Sequence, residues 1–160
     1  ELGETFFENS LQKARVANAA SGKLSLGDDS GLIVPALNNL PGLRSARYAH
    51  ECATDEENRL FLKQELEKLE LNHANAYFVC VLVLVKTSAD PFPLIATGLL
   101  EGSVKTTMTG TNGFGYDPMF YPRGSDLSLG EMGADEKALL SHRGKAIQIL
   151  KRKIEGFASE

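Results

Sequence analysis

Ala76-Tyr77-Phe78-Val79-Cys80-Val81-Leu82-Val83-Leu84-Val85 has no polar face and is rich in β-branched side chains. A half-exposed strand alternates apolar with polar residues, so a run apolar on both sides predicts a central strand covered above and below. Ten residues do not reach across a bilayer, which takes about 20 in a helix. Cys80 within the run behaves as a small hydrophobe rather than a reactive thiol.

Outward from this strand the chain alternates helix and strand signals. Thr5-Phe6-Phe7-Glu8 has the form of a capping box, and Phe7, Leu11 and Ala14 recur at helical spacing, which predicts a helix over 6–21 ended by Gly22. Lys23-Leu24-Ser25-Leu26-Gly27 alternates as a strand would, which puts Asp28 and Asp29 at a strand end. Leu32-Ile33-Val34 resumes extended structure, and Asn38-Asn39-Leu40-Pro41-Gly42 reads as a turn.

A second capping box, Thr54-Asp55-Glu56-Glu57, opens a helix that ends near Leu71, with Leu62, Leu66 and Leu69 as its buried stripe. After the central strand, Asp90-Pro91-Phe92-Pro93 turns the chain into a hairpin partner over 94–104. Residues 106–115 are glycine- and threonine-rich and form a loop; Met119-Phe120-Tyr121 is a short strand between Pro118 and Pro122. Ser141 caps a last helix carrying Ile147, Leu150, Ile154 and Phe157. The pattern is one α/β domain over 1–160 with a mixed sheet.

Composition narrows the function. With 42% hydrophobic and 24% charged residues the 160-residue chain has globular composition. A net charge of −4 provides no basic field for duplex nucleic acid, so nucleic acid is not an expected partner. Cys52 and Cys80 lack metal-ligand spacing, and the opening stretch Glu1 to Glu8 is acidic rather than basic then apolar, unlike a signal peptide, which predicts a soluble protein of a reducing cytoplasm with no membrane partner. Cys52 near His50 has no acid partner or oxyanion signature, which argues against a thiol nucleophile.

Three stretches could carry chemistry. Adjacent carboxylates repel, so Asp28 and Asp29 must each be solvated, hydrogen-bonded or paired with a cation, and Mg²⁺ would resolve the conflict. In extended backbone the two point to opposite faces, so only one leads into a given cleft. An Asx-type turn is the competing reading. Gly113-Phe114-Gly115 sets an aromatic between glycines, where a ring can lie on a base; a tight hairpin with Phe114 in the core is the alternative. Arg143 sits at a helix N-terminus, where the dipole disfavours cations, so either it faces a ligand or it is a solvated cap residue. Lys137, on a short polar helix, alone reads as a solvated lysine.

Together, Thr5-Phe6-Phe7-Glu8-Asn9 with Lys13-Ala14-Arg15, Asp28-Asp29-Ser30-Gly31-Leu32, Pro41-Gly42, Ser45-Ala46-Arg47-Tyr48, Gly113-Phe114-Gly115-Tyr116-Asp117-Pro118, Glu136-Lys137 and Ser141-His142-Arg143-Gly144-Lys145-Ala146 resemble the inosine/xanthosine triphosphate pyrophosphatases. The resemblance spans essentially the whole chain. It implies an elongated α/β fold, with flanking helices and two lobes around a central cleft. It also implies a homodimer that hydrolyses non-standard purine nucleoside triphosphates (ITP, dITP, XTP) to the monophosphate and pyrophosphate with Mg²⁺. Members of that family begin with a further strand and a loop of the form Thr/Ser-Gly-Asn-x-x-Lys, so the resemblance also leads us to expect an N-terminally truncated chain.

On this resemblance Asp29 binds the metal and orients or deprotonates the attacking water, Glu1 is a second metal ligand, and Asp28 supports them. Ser30 hydrogen-bonds substrate, Phe114 stacks on the purine, Asp117 with the backbone around Gly115 and Tyr116 completes that wall, and Lys137, His142 and Arg143 close the pocket. Lys and Arg only donate, so they suit the O6 acceptor of hypoxanthine or xanthine and leave the amino group of adenine unmatched. A nucleotide-binding protein without turnover, and a pyrophosphatase for modified pyrimidine nucleotides, are the other classes the motifs allow.

Overall fold

The computed structural model describes residues 3–157, with side chains described as far as 155. Thr5 starts α1 (Phe6–Ser21) by accepting from the Glu8 N–H at 3.1 Å, and Gly22 ends it in the left-handed conformation. The box is half of the expected one: the Glu8 carboxylate reaches the Glu4 N–H at 2.7 Å rather than that of Thr5. At α2 (Asp55–Lys68) both halves form, with Thr54 N–H to Glu57 at 2.7 Å and Glu57 N–H to the Thr54 hydroxyl at 3.2 Å.

Between them runs β1 (Ser25–Ile33), followed by β2 (His73–Val85), β3 (Leu94–Lys105) and β4 (Phe120–Pro122). The four form one sheet in the order β1-β2-β3-β4, so the apolar run lies between two partners as its composition demanded. β3 and β4 are antiparallel, with Gly102 opposite Pro122 and Val104 opposite Phe120. Two helices close the chain, α3 (Ala134–Leu140) and α4 (His142–Phe157). The α/β class with helices flanking a sheet is the one expected.

The chain divides into two compact units. One holds the residues up to Ser30, Val79–Leu99 and the residues from Ser141; the other holds Gly31–Phe78 and Leu100–Leu140. Each has its own core. In the second, Leu62 and Leu66 of α2 pack with Leu32, Phe78, Met119 and Phe120. In the first, Cys80, Leu82 and Ala96 of the sheet pack with Ala146 and Leu150 of α4.

Three expectations need correction. Asp28 and Asp29 are not at a strand end: β1 runs through them without a break. Leu69 is 51% exposed because α2 stops at Lys68, and Leu71 packs on the core instead. On α4 the buried stripe is Ala146 with Leu150, while Ile147 and Ile154 face outward.

Two glycines set how helices lie on the sheet within the first unit. A Cβ at Gly27 of β1 would stand 1.9 Å from the Ser10 carbonyl oxygen of α1, and one at Gly98 of β3 would stand 1.9 Å from the His142 carbonyl oxygen of α4. Both helices approach the strands backbone to backbone at these points. Among the described residues no helix is long and apolar enough to cross a membrane. Cys52 is exposed, Cys80 is buried, and both are free thiols.

Candidate functional site

Alternation along β1 separates the paired carboxylates, and each acquires its own cation within the first unit. Asp29 shares its face with Gly27 and points toward α1, where Lys13 Nζ lies 2.7 Å from Oδ1 and Asn9 Nδ2 donates to Oδ2 at 3.2 Å. Asn9 is buried and is itself fixed by the Gly3 N–H, which donates to its Oδ1 at 2.9 Å. Lys13 also donates to the Asp28 carbonyl at 3.2 Å. Asp29 is thus a buried carboxylate held from both oxygens.

Asp28 points the other way, toward α4. Arg143 Nε donates to its Oδ2 at 2.7 Å, Ser30 donates to its Oδ1 at 2.9 Å, and the Cys80 thiol lies 3.7 Å from Oδ1. Burial would raise the Asp28 carboxyl, but the hydrogen bond and charge of Arg143, with Ser30 and Cys80, outweigh it and leave its pKa lowered. The same pair raises the Arg143 guanidinium, while burial pushes the Cys80 thiol up to about 11. Cys80 therefore stays a thiol and is no nucleophile. The dipole-disfavoured position of Arg143 is offset by Asp28. His142, the first residue of α4, is buried, and Ser141 accepts from the Gly144 N–H at 2.9 Å as the cap.

In the second unit a separate cluster is built around the 106–116 loop. The Phe114 ring is 61% exposed, so it does not tuck into the core. Lys137 Nζ lies 4.3 Å from the ring centroid and is ion-paired with Asp117, which is buried. Asp117 also accepts from the Phe114 N–H at 2.7 Å. Gly113, at φ +78°, leaves room for this: a Cβ there would meet Asp117 Oδ2 at 2.0 Å. The Tyr116 side chain is buried and its hydroxyl donates to the Ser45 carbonyl at 2.8 Å, so this residue has only its backbone left for a ligand.

The family model of the Ham1 family matches residues 1–153. The chain belongs to the Ham1 family. It is 44% identical over 151 residues to the dITP/XTP pyrophosphatase of Legionella pneumophila (strain Paris), covering 94% of this chain and 78% of that one. It is also 44% identical over 158 residues to that of Chromobacterium violaceum, covering 99% and 79%. The solved structure of a HAM1 protein from Coxiella burnetii superposes with a TM-score of 0.91 at 42% identity, over 97% of this chain and 79% of that chain.

In this Ham1 chain, the structure brings Asp28, Ser30 and Arg143 into one cluster and Phe114, Asp117 and Lys137 into another. Glu1 lies outside the described residues. Among the described residues no three His, Cys, Asp or Glu side chains gather around a point that could hold a metal. Sequence reading passed over Asn9 and Lys13 as site residues. The sequence showed only that the two, four apart, share one face of α1; it is the burial of Asn9, seen in the structure, that requires a polar partner there.

Proposed function

We propose that this chain hydrolyses the non-standard purine nucleoside triphosphates ITP, dITP and XTP to the monophosphate and pyrophosphate. The observation that carries the reading is Asp29: a buried carboxylate, oriented by Asn9 and flanked by Lys13 at 2.7 Å. The names of the relatives, dITP/XTP pyrophosphatase, support the substrate class.

In this reaction the oxygen of a water bonds to the α-phosphorus while the bond from that phosphorus to the α–β bridging oxygen breaks, and pyrophosphate leaves. Asp29 orients the water and takes its proton. Lys13, donor only, balances charge on the phosphates. Asp29 is a hard oxygen donor with lone pairs beyond those used by Asn9 and Lys13, so it fits Mg²⁺, whose remaining positions are commonly water and phosphate. Mg²⁺, when bound, would neutralise charge developing on the phosphates. Glu1 is our proposed second ligand.

Phe114 stacks on the purine with its exposed ring, while Lys137 and Arg143, which cannot accept a hydrogen bond, favour a 6-oxo purine over adenine. Ser30 and His142 complete the contacts to substrate, and the backbone around Gly115, Tyr116 and Asp117 forms the wall beside the base. The test is pyrophosphate release from ITP, dITP and XTP against ATP and GTP, with Mg²⁺, after chelation, and after Mg²⁺ is restored. Turnover of ITP and XTP that vanishes on chelation and returns with the metal is the expected result. A preference for ATP, or rates indifferent to chelation, overturns the reading.

A further inference from the structure

The residue after Phe114 is held from both sides by a single helix face. The Gly115 N–H donates to Asp55 Oδ2 at 2.7 Å, and the Gly115 carbonyl accepts from Arg59 Nη1 at 2.7 Å. Asp55 is the first residue of α2 and Arg59 lies four further on, so both leave the same face of the helix. Each bond has one ionised partner and belongs to the stronger class of hydrogen bond.

The geometry restricts Phe114 itself. Its preceding peptide is fixed through its own N–H, which donates to Asp117 at 2.7 Å, and its following peptide through the Gly115 N–H on Asp55. With both flanking peptide planes anchored, the Cα–Cβ direction of Phe114 is set and only its side-chain rotamers stay free. The Arg59 bond fixes the next peptide, at a glycine with φ +59° that needs such an anchor to hold one conformation.

A helix-start Asp and a surface Arg would ordinarily be solvated, but Arg59 is half-buried and its Nε is enclosed without a hydrogen-bond partner. A guanidinium that forgoes hydration on one nitrogen to keep another on a loop carbonyl is placed for that carbonyl.

We propose that Asp55 and Arg59 are positioning residues that act through Gly115 to fix the direction in which the Phe114 ring is presented to the base. This rests on the reading of Phe114 as the stacking residue. The experiment compares Asp55→Ala, Asp55→Asn and Arg59→Ala, each alone and combined with Phe114→Ala. The readouts are amide hydrogen exchange of the 110–116 loop and steady-state kinetics on ITP, with melting temperature as a check on folding.

Either alanine variant should speed exchange in the loop by about tenfold while β2 is unchanged. Each should raise KM for ITP by about fivefold to tenfold with kcat within about twofold, and neither should raise KM further once Phe114 is Ala. Asp55→Asn, which keeps an acceptor oxygen, should recover most of what Asp55→Ala loses. Unchanged loop exchange, a loosened loop with unchanged KM, or the same KM rise in the Phe114→Ala background would each overturn the proposal. If Phe114→Ala alone leaves KM unchanged, the stacking reading fails, and loop exchange then decides whether the clasp orders the loop.

Discussion

Arg143 reaches Asp28 across 115 residues of sequence and contacts both of its oxygens, Nε to Oδ2 at 2.7 Å and Nη2 to Oδ1 at 3.4 Å. The neighbouring Asp29 turns its back on this pair and takes Lys13 instead. One strand thus presents two carboxylates in two electrostatic settings, one tied to a guanidinium and one to an ammonium and an amide.

That asymmetry predicts unequal consequences for neutralising the two acids. Asp29→Asn should lose at least about a hundredfold in kcat on ITP while keeping its circular dichroism and melting temperature. Asp28→Asn should lose about tenfold in kcat/KM, chiefly through KM, because it loosens Arg143 rather than removing the base. Equal losses in kcat from both would show that Asp29 has no separate role.

The Asp28 carboxyl also predicts a pH signature. Its folded pKa is lowered, so its ionised form stabilises the native state above the unfolded value of about 4, and that contribution is lost as pH falls through the lower folded value. The stability difference between the parent protein and Asp28→Asn should be flat between about pH 5 and 7 and shrink below about pH 4. Both side chains are partly exposed, at 34% and 41%, so added salt should reduce the difference. Urea titrations at several pH values measure it; a difference independent of pH would remove the pair from the stability of the fold.

Phe114→Ala should raise KM for ITP by the equivalent of about 1 to 3 kcal/mol, the usual range for stacking of a base on an aromatic ring. Because the ring is 61% exposed, melting should move by only a few degrees. A large loss of stability with unchanged KM would assign the ring to packing.

Gly113→Ala should disturb the same loop from beneath. The added methyl would lie 2.0 Å from the Asp117 carboxylate and 2.9 Å from Lys137 Nζ, at a φ of +78° that L-residues rarely adopt. A rise in KM that matches or exceeds that of Phe114→Ala, together with lower thermal stability, is expected from kinetics and a melting curve.

Local chemistry was legible in the sequence and distant chemistry was not. The hydroxyl-to-carboxylate spacing at Thr54 and Glu57 marked the start of α2, and the two-sided apolar run marked β2, because both signals lie within a few residues. The strand through Asp28 and Asp29 was misread as a strand end, since the cations that let β1 continue lie 16 and 115 positions away. Leu69 and Ile154 had helical spacing yet stand exposed, because periodicity says which residues share a face and not where the helix stops or what covers it. Asp55 stood in the sequence reading only as an intervening residue of the Thr54–Glu57 capping box; its use on Gly115, 60 residues on, has no local trace.

Gly27 and Gly98 have a consequence for how precisely the two carboxylates meet their partners. Where α1 and α4 meet the strands, no side chain stands between backbone and backbone, so the spacing there is a fixed gauge rather than an average over packed volumes. Asn9 and Lys13 straddle one of these gauge points, and Arg143 adjoins the other. Arg143 therefore leaves α4 one residue from the point where the helix backbone is seated on β3, and from there it reaches Asp28 at 2.7 Å. The placement of both carboxylates' partners is thereby set by backbone contact at Gly27 and Gly98.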